Sequence, residues 1–290
     1  MALAQTVLPL LARALWTMPD AATKEQEPEI SHEGSAPASA GSVSFAGAFE
    51  TAGTDQLFIG VLEMTIDASP RLQLFVQLGF MGDWRSSGAG QDSMGMGNPV
   101  VGATYELPPF APFRLHLTVG STIPVGSGGG DDANPTVRDA MLSATDWGGP
   151  MFAPNHLDLF VGGKISYSSG VFGLRARSTF NEGIRVRGET VDVLGSNVMF
   201  VANALRGTVN LRKLSFFGEY LETRILNTPP FVRADPSARV SQYLGVGVSA
   251  QAGAIHKTAL EPTLRFVRGI DQAKWDSGFQ VIELGLTASF

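Results

Sequence analysis

From Phe279 to Phe290 the chain alternates. Ile282, Leu284, Leu286, Ala288 and Phe290 share one parity, and Glu283, Gly285, Thr287 and Ser289 share the other, with Val281 the one apolar member of that set. A period of two marks a strand with one apolar and one polar face. The pattern reaches the last residue of the sequence, where a free strand end would fray. Pairing this strand with the first strand of a closed barrel removes the open edge. The same alternation predicts twelve strands, at 42–50, 56–66, 71–82, 99–107, 113–123, 156–167, 171–181, 197–208, 213–225, 239–251, 257–268 and 279–290. In the third, Leu72, Leu74, Val76, Leu78 and Phe80 alternate with Arg71, Gln73, Phe75, Gln77 and Gly79. In the fifth, Leu115, Leu117, Val119 and Ile123 alternate with Arg114, His116, Thr118 and Thr122. In the seventh, Phe172, Leu174, Ala176 and Phe180 alternate with Arg175, Arg177, Thr179 and Asn181. The eighth resists phasing, because Asn203 and Arg206 fall on opposite faces.

The connections sort by parity. After the even strands they are short: 67–70, 108–112, 168–170, 209–212 and 252–256. After the odd strands they are long: 83–98, 124–155, 182–196, 226–238 and 269–278. Only the first, 51–55, breaks the rule. Short turns at one end, long loops at the other and an even strand count describe a transmembrane β-barrel. A Lys or Arg on the lipid face costs about 2–4 kcal/mol at the bilayer midplane, so the polar face is expected to line the lumen. The expected fold is therefore all-β: a closed, antiparallel, up-and-down transmembrane β-barrel of about 12 strands over residues 42–290, in a bacterial outer membrane and in contact with its lipid. Tyr105, Phe113, Tyr167 and Phe290 fall near one rim and Trp84 and Trp275 near the other, as aromatic girdles would.

Composition supports this. The 290 residues include 34 glycines, no cysteine and only 17% charged residues, and no run approaches the length of a membrane helix. The absence of cysteine excludes disulfides and thiolate metal sites. A net charge of -6 without a basic block argues against a nucleic-acid partner. Residues 1–41 read as a flexible N-terminal periplasmic segment, rich in Pro, Ala, Glu and Ser after residue 18. A short helix fits Thr6 to Trp16, and a pore-plugging role for it is one reading. Met1 to Trp16 lacks the basic start of a signal peptide, while Ala2-Leu3-Ala4 resembles the end of one. The expectation is a start near a cleavage site, with the signal upstream.

The candidate site is the lumen. Twelve strands enclose more than a packed interior and less than a wide channel. The expected pore-lining residues are Arg71, Glu106, Arg114, His116, Asp158, Lys164, Arg175, Arg177, Glu219, Glu261, Arg265 and Glu283, with Glu63 beside them. They would either pair across the lumen and stabilise it or tune selectivity, with Arg114, Arg175 and Arg177 attracting anions. Gly126 to Asn134, a glycine-rich run with two carboxylates, is a weak Ca²⁺ candidate and more simply an outer loop. Catalytic motifs are missing: there is no G-x-S-x-G and no H-E-x-x-H. The four histidines, His32, His116, His156 and His256, lack ligand spacing. His116 and Ser121 fall on opposite faces of one strand, which argues against a barrel lipase. No enzyme activity, cofactor or metal is expected.

Gly95-Met96-Gly97-Asn98-Pro99-Val100-Val101-Gly102-Ala103-Thr104-Tyr105 resembles the G-D-x-x-h-G-h-x-Y strand start of bacterial outer-membrane transporters, with Asn98 where Asp is common. Ile123-Pro124-Val125-Gly126 is similar to their L-P-T-G strand end, with Val for Thr. The hairpin Val61 to Phe80 is similar to theirs too. The families are the fatty-acid transporter-like barrels and the group labelled for the phenol-degradation meta pathway. A final strand closing on Phe290 also resembles the signal read by the barrel assembly machinery. The resemblance implies passage of small, often apolar molecules, and transfers no site residue. The expectation is a passive channel for a small solute, apolar or aromatic ones among them, with 124–155 as its lid. The alternative is a structural or ligand-binding barrel with a closed lumen.

Overall fold

The computed structural model describes residues 41–52, 55–85, 93–108, 110–130, 135–188, 194–255 and 258–290. The N-terminal segment, its helix and its plugging role lie outside the described residues. So do His32, His256, residues 131–134 of the glycine-rich loop and the side chain of Trp84.

The barrel strands are β1 (Gly41–Ala52), β2 (Asp55–Ser69), β3 (Leu72–Arg85), β5 (Val100–Glu106), β6 (Phe113–Thr122), β7 (His156–Ser169), β8 (Phe172–Arg185), β9 (Asn197–Leu211), β10 (Leu214–Ile225), β11 (Val240–Ala250), β13 (Thr258–Gly269) and β14 (Gln280–Ser289). Each pairs antiparallel with its neighbours, and β14 pairs β1 to close the ring. Gly41 and Phe290 exchange both backbone hydrogen bonds, at 3.2 and 3.1 Å, so the final strand is paired to its last residue. Two short strands lie off this ring. β4 (Ser93–Met96) pairs the far end of β3, and β12 (Ala254–Ile255) pairs the start of β13. The predicted twelve strands are all present, each within a few residues of its expected bounds. Short turns gather at the end carrying residues 41 and 290, here the turn end; the opposite end is the loop end.

Parity separates the faces as expected. Leu74, Val76, Leu78 and Phe80 of β3 are exposed outwards, as are Leu117 and Val119 of β6 and Ile282, Leu284 and Leu286 of β14. These residues form an apolar belt around the barrel, which is the surface a bilayer requires. Phe113 and Tyr167 meet at the turn end with ring centroids 5.6 Å apart. Trp275 is exposed at the loop end with the Arg268 guanidinium 4.2 Å over its ring.

The 124–155 connection is more than a loop. Residues Pro135–Gly148 form a helix, α1, followed by a 3-10 turn at Gly149–Phe152. Proline opens the helix, where its missing N–H costs nothing, and Gly149, at φ 74, ends it in the left-handed conformation. Ala140, Met141 and Ala144, at helical spacing, are fully buried, and Val137 packs against the same core. Among the described residues the other α-helices, α2 (Pro230–Ala234) and α3 (Gln272–Asp276), are single turns at the loop end.

Candidate functional site

Every expected pore-lining residue has inward parity, but the interior has two tiers. At the turn end it is polar, as expected. At the loop end most of it is apolar, against the expectation of a polar lumen throughout, with Glu50 of β1, Asp83 of β3, His156 of β7 and Lys274 of α3 buried among the apolar side chains. Leu57 and Ile59 of β2, Met81 of β3, Phe200 of β9, Leu221 of β10, Tyr243 of β11 and Val281 of β14 are buried on the inward face. They join the cluster containing Met141, Met151 and Phe152 of the 124–155 segment. Only one face of each strand was expected to be apolar. The folded-in segment gives the inward face an apolar partner too, so the upper half of these strands is largely apolar on both sides, with Thr223 and Ser241 as well as the buried charges interrupting the inward one.

Asn98 holds this segment in place. It sits where the β4 and β5 pairings along β3 are interrupted, at Gly97-Asn98-Pro99. Its backbone N–H donates to the Met151 carbonyl, its Nδ2 donates to the Ala153 carbonyl at 2.8 Å, and its Oδ1 accepts from the Gly126 N–H at 2.8 Å. One residue thereby ties both ends of the segment to the wall. Asn155, at φ 64, makes a second tie: its Oδ1 accepts from Gly130 N–H at 2.7 Å and Arg187 Nε at 3.3 Å. Gly79 gives the segment room, because a Cβ there would lie 2.1 Å from Met151 Sδ.

In the polar tier the charges segregate by angle. Arg114, His116, Lys164, Arg175, Arg177 and Arg206 all project inwards from β6–β9. Glu219, Glu261, Glu283 and Glu63 project inwards from β10 round to β2, with Arg265 among them. Glu106 of β5 borders the cationic sector, 3.9 Å from His116 Nε2. Arg71, just before β3, and Glu261 are exposed at the turn-end mouth. Lys164 stands directly opposite Arg177, and Arg175 directly opposite Arg206. Directly opposed like charges are destabilising, so two such pairs concentrate positive potential on one wall.

The acidic wall is cross-linked. Glu219 Oε2 accepts from Arg206 Nε and Nη2 at 3.1 and 2.9 Å, Glu219 Oε1 accepts from Arg265 Nε, and Arg265 Nη1 donates to Glu283 Oε2 at 3.2 Å. Glu219 and Arg265 belong to β10 and β13, which flank β11. The carboxylate crosses β11 over Gly245, where a Cβ would lie 2.6 Å from Oε1. Arg206 was missed in the sequence because its strand could not be phased. Its face is now set: Arg206 is inward and Asn203 outward.

Between the tiers lie Asp158 and Asn181, both buried. Asp158 Oδ2 and Asn181 Oδ1 accept no hydrogen bond among the described residues. Asn181 stands in register between Phe160 and Phe200, inward on the neighbouring strands. The arrangement is apolar walls with two acceptors. His116 is inward and Ser121 outward, so the structure does not bring that pair together.

No protein-family model and no curated protein sequence matches the chain. Solved structures do. An outer membrane channel from Pseudomonas putida F1 aligns with 90% of this chain and 100% of its own, at 14% identity and a TM-score of 0.59. The NanC porin aligns with 86% of this chain and 98% of its own, at 7% identity and a TM-score of 0.53. The fold is that of bacterial outer-membrane β-barrels. At these identities the likeness is one of fold, and the fatty-acid transporter-like assignment gains no support beyond it.

Proposed function

We propose that this chain is an outer-membrane channel for the passive passage of small apolar or aromatic solutes. The observation that carries this is the two-tier interior. A solute arriving at the loop end meets mostly apolar side chains, with Glu50, Asp83 and Lys274 buried among them, then two buried acceptors at Asp158 and Asn181, and then a charged tier open to the turn end. Ligand sites are typically apolar with few polar groups, and the upper tier has that character. The solved structures of the same fold, a channel and a porin, support the channel part of the reading. The C-terminal strand, paired through Phe290, suits delivery by the barrel assembly machinery.

A second reading, a ligand-binding or structural barrel with a closed lumen, is favoured by one observation: Ala140, Met141 and Phe152 are completely buried inside the upper tier. Two measurements on the refolded full-length chain separate the readings. The first is uptake of a fluorescent naphthylamine into vesicles with a lipopolysaccharide outer leaflet. The second is ion conductance in a planar bilayer, repeated without residues 1–41. Uptake above protein-free vesicles supports the channel. Folded protein that is silent in both assays, with and without the N-terminal segment, supports the closed barrel and overturns the channel.

A further inference from the structure

Asp158 of β7 and Asn181 of β8 are diagonal neighbours on the inward wall where the two tiers join. Asp158 stands opposite Gly183, and Asn181 is the next inward residue below Gly183 on the same strand. A Cβ at Gly183 would lie 2.5 Å from Asp158 Oδ1, so the carboxyl lies across β8 over that glycine. Diagonal neighbours are about 7–8 Å apart, which puts the two side chains on either side of one small group. They are 3% and 0% exposed. Asn181 Nδ2 donates to the Thr179 carbonyl at 3.4 Å, and the Thr122 hydroxyl hydrogen-bonds the Asp158 carboxyl. Asp158 Oδ2 and Asn181 Oδ1 receive no hydrogen bond among the described residues.

Their surroundings are apolar. Asn181 stands in register between Phe160 and Phe200, Val198 stands beyond Gly183 on β9, and the Phe160 ring stacks on Phe75 with centroids 6.5 Å apart. No cation pairs with Asp158 among the described residues. Arg185 is one inward step nearer the loop end, opposite His156, and the Gly162–Thr179 row separates Asn181 from Lys164 and Arg177. The other buried charges of this tier do not favour an anion either: Glu50 and Asp83 are acids, against Lys274. Buried oxygens left open in such surroundings are costly until a donor completes them.

We propose that Asp158 and Asn181 are the polar end of a binding site for primary amines with an apolar body, taken as ammonium ions. This names a solute class for the channel reading and rests on that reading's placing of the solute inside the upper tier. An alkylammonium carries three N–H donors and one positive charge. It donates to Asp158 Oδ2 and Asn181 Oδ1 together and supplies the countercharge that the carboxyl lacks, while Phe160 and Phe200 take its apolar body. An alcohol brings one donor and no charge, a hydrocarbon brings neither, and a carboxylate sets a second acid against Asp158. The same tier already holds one alkylammonium on aromatic rings. Lys274 is buried, with Nζ 4.7 Å from the Phe279 ring centroid and 5.9 Å from that of Tyr243, and cations are attracted to such faces.

The test is titration calorimetry on the refolded full-length chain in zwitterionic micelles, with empty micelles as the blank. The probes are phenethylamine, phenethyl alcohol, trimethyl(phenethyl)ammonium and hydrocinnamate, which share one apolar body and differ in charge and donors. The expected result is one phenethylamine per chain, with the other three at least about tenfold weaker, the worth of one hydrogen bond to a charged group. Asp158→Asn is expected to bring the ratio of amine to alcohol affinity close to one, and Asn181→Leu to lower amine affinity by about tenfold; heat-modifiable gel mobility reports folding of both variants. Two results overturn the proposal: amine binding no tighter than alcohol binding in the native chain, which needs no variant, or an undiminished preference for the amine in folded Asp158→Asn. Naphthylamine uptake is measured on the same preparation. Uptake without an amine preference overturns this site and keeps the channel, whereas an amine preference without uptake keeps the site and overturns the channel.

Discussion

Gly245 of β11 is where one added methyl group should break an ion pair. The Glu219 side chain crosses the barrel wall over this residue to reach Arg265. A Cβ at Gly245 would lie 2.6 Å from Glu219 Oε1, 2.8 Å from its Cγ and 3.1 Å from its Cδ. The carboxylate is the free end of a flexible side chain, so it can swing aside; what it loses is Arg265. Removing one partner of a buried ion pair costs about 3–5 kcal/mol. Here Arg265 keeps Glu283 and Glu219 keeps Arg206, so the loss is closer to that of one charge-assisted hydrogen bond, about 2 kcal/mol. Gly245→Ala should therefore destabilise the barrel by about 2 kcal/mol in urea unfolding from vesicles. The sign is informative, because glycine weakens a strand and replacing it where a Cβ meets nothing, as at Gly207 or Gly218, is neutral or favourable. The same substitution in a Glu219→Gln background should cost less than about 0.5 kcal/mol, since the two sites are coupled. An equal cost in both backgrounds, or no cost in the native one, would refute the crossing as the reason for this glycine.

Asn98→Ala removes two of the three hydrogen bonds tying down the 124–155 segment and should raise both naphthylamine uptake and the frequency of conductance openings, with little change in barrel melting. Replacing Arg175 and Arg177 with Gln should shift reversal potentials towards cations by thinning the positive wall; an unchanged ratio of anion to cation permeability would show that this sector does not face the ion path. Phe75→Ala should cost roughly 3–5 kcal/mol in urea unfolding, because its ring fills the space above Gly102, where a Cβ would lie 2.4 Å from Cζ. Gly102→Ala should also destabilise, by forcing that ring out.

The strands, the closure and the inward set were legible because each rests on a period of two, which shows in every strand separately. The β9 ambiguity was also information. Asn203 could not be placed because it is a polar residue on the apolar side, and that is its observed position. The apolar upper tier was hidden for a different reason. Leu57, Ile59, Met81 and Phe200 face inwards among outward apolar neighbours, and nothing within those strands says what covers them. The covering element did carry a signal: Val137, Ala140, Met141 and Ala144 follow the helical spacing of an amphipathic segment. Glycine-rich flanks disguised it as a loop. The angular separation of charge needs the strand order and register together, so a list of inward residues reads as mixed.

The two tiers place opposite demands on anything crossing the barrel. An ion entering from the turn end finds charged side chains that replace part of its hydration, then a mostly apolar stretch that offers little beyond Glu50, Asp83 and Lys274, and hydrophobic constrictions stop ions by dewetting. An apolar solute entering from the loop end finds the reverse: a favourable upper tier, and a lower tier it needs only to leave. Ion conductance should then be small and intermittent, limited by how often the 124–155 segment leaves the wall. Apolar uptake should be larger than that conductance implies. Loosening Asn98 relieves the same barrier for both and should raise both, whereas Leu57→Ser with Phe200→Ser makes the upper tier wettable and should raise ion conductance while lowering naphthylamine uptake. If both fluxes rose together in the serine variant, the upper tier would be a steric plug alone, and its apolar character would have no part in selecting the solute.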